Sequence, residues 1–272
     1  MSEETMSLNP AAAAFDAVAE KFDARFGEWR SVAAQRRAVR RALLRAFPPG
    51  ARVLEMGGGT GEDAAWLASQ GYRVLMTDVS PTMVRVAGEK LAGTGVRVRQ
   101  APAEDLGRLA DEGTFDAAFT NFAGLNCVPD LSPVARGLAR LVRPGGQAAL
   151  VIFGPFPPGE VVVEALHGRF REGFRRLRRG DVPAKLGGRE FVVRYHRPAE
   201  VDRVMAPWFR PVRRVGIGVF VPPSAAEPFI SRFPRFVSAL EALDRVVERP
   251  LALLGDHVLF QYERTDAGVE PA

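Results

Sequence analysis

The sequence has one cysteine, three histidines and three lysines in 272 residues, and no long uninterrupted apolar run. The lone Cys127 excludes an internal disulfide and any cysteine-rich zinc site. The three histidines, His167, His196 and His257, are scattered, so no dedicated metal centre is expected. No stretch reaches the roughly eighteen apolar residues that a membrane span needs. The opening MSEETMSLNP places acidic Glu3 and Glu4 where a signal peptide carries basic residues. These absences lead to the expectation of a cytoplasmic protein with no membrane span.

What is present is of globular type: 47% hydrophobic and 25% charged, with length enough for one large core or two small ones. The net charge of +5 comes from 37 basic residues, nearly all arginine, against 32 acids. That charge is spread along the whole chain, and nucleic acid is not expected as a partner.

Apolar residues at Phe15, Val18, Phe22, Phe26 and Trp29, then Val32, Val39 and Leu43, recur at helical spacing and predict two amphipathic helices broken near Gly27. Pro48, Pro49 and Gly50 end that region, and ARVLEM reads as a short buried strand running into glycines. Strand and helix then alternate. A helix over 62–70 is stopped by Gly71, a strand covers 72–77, and Ser80 caps a helix with Pro81 at its first position. Strands over 96–100 and 115–120 follow, then a helix opened by Ser132 and Pro133, then a strand over 147–153. Units of that length imply a parallel sheet covered on both faces. Past residue 153 the alternation lapses into a basic helix over 160–179, an extended stretch over 190–196 returning to the sheet, and a helix begun by Pro198. A closing strand pair over 212–221 and 258–263 is separated by a helical excursion too long for a hairpin loop, of the kind that forms lids.

Gly57, Gly59 and Gly61 stand where a buried strand turns into a helix, so the backbone turns tightly and meets a ligand without side chains in the way. The pattern alone also admits a dinucleotide, because Gly59, Gly61 and Ala64 satisfy GxGxxA and Asp78 lies at a suitable distance for a ribose. Glu55 tilts the balance. An acid at a buried strand end is costly unless a cation or a donor answers it, and it is an awkward neighbour for a pyrophosphate. S-adenosyl-L-methionine offers both an ammonium and a sulfonium and has no phosphate, while amides at the helix start favour its carboxylate. Asp78, at the end of the second strand, can accept from both ribose hydroxyls.

Five segments in order carry a family resemblance: ExGxGxG over 55–61, TDVSPTMV over 77–84, PAEDL over 102–106, FDAAFTNF over 115–122 and LVRPGG over 141–146. Together they resemble the class I S-adenosylmethionine-dependent methyltransferases, especially the group acting on quinones and other small molecules. The resemblance covers residues 15–153 well and the remainder in outline. It implies a doubly wound, Rossmann-like α/β fold with a seven-stranded, mostly parallel sheet, an antiparallel last strand, N-terminal helices and inserted lid elements. It further implies that Glu55 and the backbone of Gly57, Gly58, Gly59 and Gly61 hold the methionine part, that Asp78 holds the ribose, and that Val79 and Met83 face the adenine. Ala103 would meet the adenine edge, and Asn121 and Phe122 would lie beside the sulfur. Where similar proteins carry an aspartate, this chain has Pro102, which shifts adenine recognition toward Ala103, Glu104 or Asp105. The helices bearing Phe15 and Phe22 resemble the segment that covers the cofactor in such enzymes.

Methyl transfer from a sulfonium needs in-line placement, exclusion of water and, for some acceptors, a base. The carboxyl ends of the strands direct attention to residues 121–127, 153–156 and 222, and His196 and His257 are the candidate bases. The inserted helix, with Phe170 and Phe174 among arginines, reads as an amphipathic helix with a solvated basic face, the alternative being a patch for an anionic substrate or a membrane surface. The many aromatics past residue 153 suit an apolar acceptor pocket. The expected reaction is transfer of a methyl group to an O, N or C nucleophile of a small, partly apolar or aromatic metabolite, leaving S-adenosyl-L-homocysteine. The alternatives are an NAD(P)-dependent oxidoreductase, an RNA or protein methyltransferase, and a binding protein that keeps the fold without catalysis. NFAG over 121–124 stands where enzymes methylating base amino groups carry an Asn/Asp-Pro-Pro-aromatic run. The expected division is a disordered tail over 1–14, one domain over 15–264 and a tail over 265–272. Within the domain lie a helical cover (15–47), a cofactor-binding core (50–154), a substrate-side insertion (155–197), and a closing helix and strands (198–264) that include the excursion (224–254).

Overall fold

The computed structural model describes residues 9–122, 124–178 and 180–269; the first part of the expected N-terminal tail, Arg179 of the expected basic helix and the end of the C-terminal tail lie outside the described residues. The N-terminal region holds α1 (Pro10–Asp16), α2 (Phe22–Phe26) and α3 (Arg30–Ala46). Alternation then begins with β1 (Arg52–Met56), α4 (Glu62–Ser69), β2 (Arg73–Asp78), α5 (Pro81–Lys90) and β3 (Arg97–Gln100). It continues through β4 (Phe115–Thr120), α6 (Ser132–Leu141) and β5 (Val142–Phe153). The second half contains α7 (Pro158–Leu166), α8 (Phe170–Gly173), β6 (Asp181–Leu186), β7 (Arg189–Arg194), α9 (Pro198–Met205), β8 (Phe209–Ile217), α10 (Pro234–Val247) and β9 (His257–Arg264).

Seven strands form one sheet in the order β3-β2-β1-β4-β5-β9-β8. Every pair from β3 through β5 is parallel, and β9 runs antiparallel to both β5 and β8, as the expected fold class requires. Side chains alternate across the strands, so Leu54 and Met56 of β1 enter one core with Leu138, Met205 and Phe260. Val53 enters the other core with Leu43, Leu67 and Phe119. Burial on both faces explains why β1 reads as an unbroken apolar run interrupted only by Glu55. The order reverses between β1 and β4, and at such a switch point the carboxyl ends of the strands part to leave a crevice.

The helix starts follow local chemistry. Ser80 Oγ accepts from the Met83 amide at 3.0 Å with Pro81 at the first position, and Asp130 accepts from the Ser132 amide at 2.9 Å.

Four expectations are corrected. The tail expected through residue 14 is helical from Pro10, because Asn9 Oδ1 caps the Ala12 amide at 2.8 Å. The break at Gly27 holds, but the first of the two expected cover helices is in pieces: α1, a short 3-10 turn and α2. These pieces rest on different supports, α1 on β7 through Phe15 and Phe191, whose rings are 5.9 Å apart, and the turn on α5. The single basic helix expected over 160–179 is α7, α8 and a 3-10 turn, because Gly168 has φ +73° and reverses the chain. Gly173 then lies against Val161, where an added Cβ would come within 3.1 Å of its Cα. Finally, the stretch expected over 190–196 does not return to the main sheet. It forms a separate hairpin of β6 and β7 about Gly187 and Gly188, both at positive φ, as a two-residue turn between antiparallel strands requires.

Candidate functional site

The crevice is built first from backbone. Between β1 and α4 the chain turns with φ +65° at Gly57 and +58° at Gly59, a region that side-chain-bearing residues rarely adopt. A Cβ on either would meet nothing within 4 Å, so both positions border open space. Gly61 has a different reason: a Cβ there would strike Leu91 at 2.6 Å, so it serves packing.

Asp78 ends β2 and ties the loop down. Its Oδ2 accepts from the Gly59 amide and its Oδ1 from the Ser80 amide, both at 2.9 Å. Burial raises its pKa, and the amides oppose that rise without cancelling it. Glu55, next to last in β1, is 2% exposed and has an Oε2 with no hydrogen-bond partner among the described residues. Burial, reinforced by the charges of Asp63 and Asp78, pushes its carboxyl well above the usual range, against the pull of Arg36 and Arg40.

Next to it, Asp63 accepts from Arg40 Nε at 2.7 Å and from Asn121 Nδ2 at 2.8 Å. Asn121 Oδ1 accepts in turn from the Phe122 amide at 2.8 Å. That bond holds Phe122 at φ +46°, an uncommon conformation for a bulky residue and one that clusters at ligand sites. The Phe122 ring lies under the Arg36 guanidinium at 5.2 Å and edge-on to His257 at 5.7 Å.

One cavity of about 170 Å³ brings together every cofactor-binding residue expected from sequence except Gly61. Glu55, Gly57, Gly58, Gly59, Asp78, Val79, Met83, Ala103, Glu104, Asn121 and Phe122 all line it. The volume is far above the roughly 10–15 Å³ that holds one water, so this is ligand space rather than a packing gap. Phe15 and Phe22 line it from the N-terminal cover. Among the described residues its charged lining is Glu55, Glu62, Asp63, Asp78 and Glu104 against Arg36. That balance favours a cationic ligand and opposes a pyrophosphate. Met83, Ala101, Ala103, Leu125 and Val128 add apolar surface suited to a flat ring.

Sequence reasoning missed Arg36 and Asp63. The available signal was the acid pair Glu62 and Asp63 opening α4, together with Arg36 and Arg40 one helical turn apart on α3. Arg36 lies 3.5 Å from Glu62 and 3.7 Å from Asp63.

The two candidate bases separate. His196 is not in the cavity lining; it is 2% exposed, and its Nε2 lies 3.2 Å from the Leu125 carbonyl and 3.0 Å from that of Val128. Donation to those carbonyls holds the loop that brings Leu125, Cys127 and Val128 to the cavity. His257 also lies outside the lining but directly behind it, stacked on Phe153 at 5.0 Å and against the lining ring of Phe122. Its Nδ1 is 3.3 Å from Asp256 Oδ2. Asp256 also receives Gln35 Nε2 at 3.1 Å and the buried guanidinium of Arg176, which bridges to Glu160. Burial pushes Asp256 up, but Arg176 and His257 outweigh it and hold the carboxyl below its usual range. Glu160 is different: burial raises it in spite of both Arg176 and Arg175. Cys127 borders the cavity as a thiol, its pKa pushed up to about 11 by burial and by Glu104.

A family model described as a methyltransferase domain matches residues 54–150, from β1 into β5. The chain is 32% identical over 171 residues to the demethylmenaquinone methyltransferase of Corynebacterium urealyticum, covering 60% of this chain and 69% of that protein. It is 35% identical over 161 residues to the demethylmenaquinone methyltransferase of Mycolicibacterium gilvum, where it spans 65% of that protein's length and 56% of its own. In fold it is similar to an S-adenosylmethionine-dependent methyltransferase of Mesorhizobium loti, with a TM-score of 0.52 and 19% identity over 84% of this chain and 98% of that one.

Proposed function

This chain belongs to the class I S-adenosylmethionine-dependent methyltransferases, and from that premise we propose that it moves the methyl group of S-adenosyl-L-methionine to a nucleophile of a small, partly apolar or aromatic metabolite. The observation that carries the proposal is Glu55, a buried acid whose Oε2 has no partner among the described residues, set beside a loop whose glycines leave the cavity open. A cationic ligand repays the desolvation of that acid, and a pyrophosphate aggravates it. The lining fits the cofactor part by part. Glu55 suits the ammonium, and Arg36 at the rim suits the carboxylate. Asp78 keeps lone pairs for ribose hydroxyls beyond its two amide bonds, and Val79, Met83 and Ala103 suit the adenine. Glu104 is proposed to accept from the adenine amino group, because Pro102 offers no carboxylate.

When bound, the cofactor supplies an electrophilic methyl group on a sulfonium that is its own leaving group. The chain's part is to position and to exclude water. Asn121, fixed by Asp63, sets Phe122 in its left-handed conformation against the cavity, and Phe15 and Phe22 cover it. For an acceptor that must lose a proton, His257 is the proposed base, with Asp256 Oδ2 3.3 Å from its Nδ1 and Nε2 proposed to receive the proton. His196 is assigned to loop positioning, because its Nε2 is committed to two carbonyls.

Residues 155–197 and 224–254 flank the β5 and β9 end of the crevice and are proposed to form the acceptor side. The names of the relatives above specify demethylmenaquinone, so aromatic acceptors of that class are the first to test. No helix among the described residues is long and apolar enough to cross a membrane.

The test is calorimetric titration with S-adenosylmethionine, S-adenosylhomocysteine and NADH on the native chain and on Asp78→Ala. Binding of both adenosyl ligands, weakened by the substitution, is the expected result. Binding of NADH alone overturns the proposal.

A further inference from the structure

We propose that the outward face of residues 156–178 docks on an anionic lipid bilayer. This segment exposes six large apolar side chains: Leu166 is 82% exposed, Phe170 65%, Val162 57%, Leu177 52%, Phe174 46% and Phe156 38%. The rings of Phe156 and Phe174 stack at 6.4 Å, and Phe170, Phe174, Arg171 and Arg178 line one shallow open depression. Single exposed hydrophobics are ordinary on protein surfaces, but a cluster on one short segment marks an interaction site.

The charges say what kind of partner it is. Glu160 and Glu164 are turned inward, 1% and 4% exposed, and neutralised by Arg175, Arg176 and Arg169. Glu172 is the one well-exposed acid among the described residues of the segment, and it stands 3.9 Å from Arg178. What faces outward is therefore apolar bodies interleaved with guanidinium groups. In a protein interface the apolar residues form a packed centre with charges at the rim. Here Phe170 and Phe174 share one depression with Arg171 and Arg178. That pattern places hydrocarbon below a headgroup plane and cations in it.

The surface extends on a neighbouring element. The segment α7 packs against the 3-10 turn over 224–226, and the chain leaving that turn exposes Phe229 at 62% and Phe233 at 47% beside Arg232. Because α7 follows directly from the carboxyl end of β5, a docked bilayer lies near the acceptor side of the crevice. An apolar acceptor would then arrive from the membrane rather than through water. Only that last consequence rests on the proposed methyltransferase activity; the docking itself does not.

The test is co-sedimentation of the full chain with phosphatidylcholine vesicles, with and without about 30% phosphatidylglycerol, at low and high salt. Leu166→Glu/Phe170→Glu and Arg171→Glu/Arg178→Glu double variants are run in parallel. Thermal melting confirms that each variant is folded, independently of any cofactor. The native chain is expected to pellet with the anionic vesicles and to be released by salt. Each double variant is expected to lose at least about tenfold in vesicle affinity. Three results overturn the proposal: the native chain stays in solution with both vesicle types at low salt; or a folded variant binds like the native chain; or the native chain is a dimer that the apolar variant dissociates, which assigns the face to a second copy.

Discussion

Two buried acids sit at the carboxyl edge of the same sheet, Glu55 at the end of β1 and Asp256 just before β9, and the chain treats them in opposite ways. Asp256 is saturated: Arg176, Gln35 and His257 all face it, and its carboxyl is held below the usual range. Glu55 is left with an unpartnered oxygen, and its carboxyl is pushed well above that range. The cost of burying a charge is met internally at one site and left for a ligand to meet at the other. A saturated acid holds structure in place, whereas an unsaturated one is a receptor for a cation.

The largest expected effect tests the saturated site. Arg176→Ala strips the shared cation from Glu160 and Asp256 while both stay buried, and breaking a buried pair of this kind costs about 3–5 kcal/mol. Urea unfolding should show that loss. A change under about 1 kcal/mol would mean that the network contributes little, and the contrast with Glu55 would collapse.

The next effect is the mirror image. Glu55→Gln should leave stability unchanged or slightly raised, because it removes an uncompensated buried charge, while weakening S-adenosylmethionine by about 1.5–3 kcal/mol, the worth of a hydrogen bond to a charged group. Calorimetry of binding beside thermal melting separates the two readouts. Loss of stability with intact binding would reverse the roles assigned to the two acids.

The pH dependence sharpens the same contrast through its sign. Glu55 is raised above its unfolded value of 4.5, so the folded chain binds that proton more tightly than the unfolded chain does. Its contribution to stability therefore falls as pH rises through the window between the two values. Asp256 is depressed below 3.8, so its contribution is present above that value and is lost only as pH falls toward its folded value. The stability advantage of Glu55→Gln should grow as pH rises above 4.5 and vanish in acid. Binding of the adenosyl cation, which needs the carboxylate, should release a proton and strengthen with pH over the same window. Isothermal titration in buffers of different ionisation enthalpy reads that proton directly, and no release would place the ammonium elsewhere.

The two acids also differ in how well sequence announces them. Glu55, the glycines and Asp78 lie within one strand-turn-helix-strand unit, where spacing along the chain nearly fixes spacing in the fold, and the cavity lining follows from it. Asp256 has partners, Gln35 and Arg176, that stand far away in sequence, and periodicity carries no information about such meetings. Arg36 escaped for the same reason; Asp63 lies inside the local unit, but its partners Arg40 and Asn121 come from other elements. Gly187-Gly188 was a local hairpin signal that the extended reading of 190–196 passed over. His196 and His257 were both expected at the crevice edge, and both stand outside the cavity lining among the described residues. Which ring nitrogen is already engaged decides their roles, and that is a property of packing that no residue spacing encodes.

The smallest expected effect concerns Cys127, the thiol in the cavity lining. At neutral pH a thiol with its pKa pushed up to about 11 is protonated almost completely, and Glu104 opposes any thiolate that forms. A group in that state contributes bulk and apolar surface, as buried cysteines commonly do. Cys127→Ala should therefore change cofactor affinity and turnover by no more than about twofold, the scale of a trimmed contact rather than a lost catalytic group. Iodoacetamide should label the native thiol at pH 8 about a hundredfold more slowly than a free thiol of pKa near 8.5, with adenosylhomocysteine slowing it further by filling the cavity. A large loss of turnover with intact binding would instead place Cys127 in the chemistry and shift the reacting end of the crevice from Phe122 and His257 toward the loop that His196 holds.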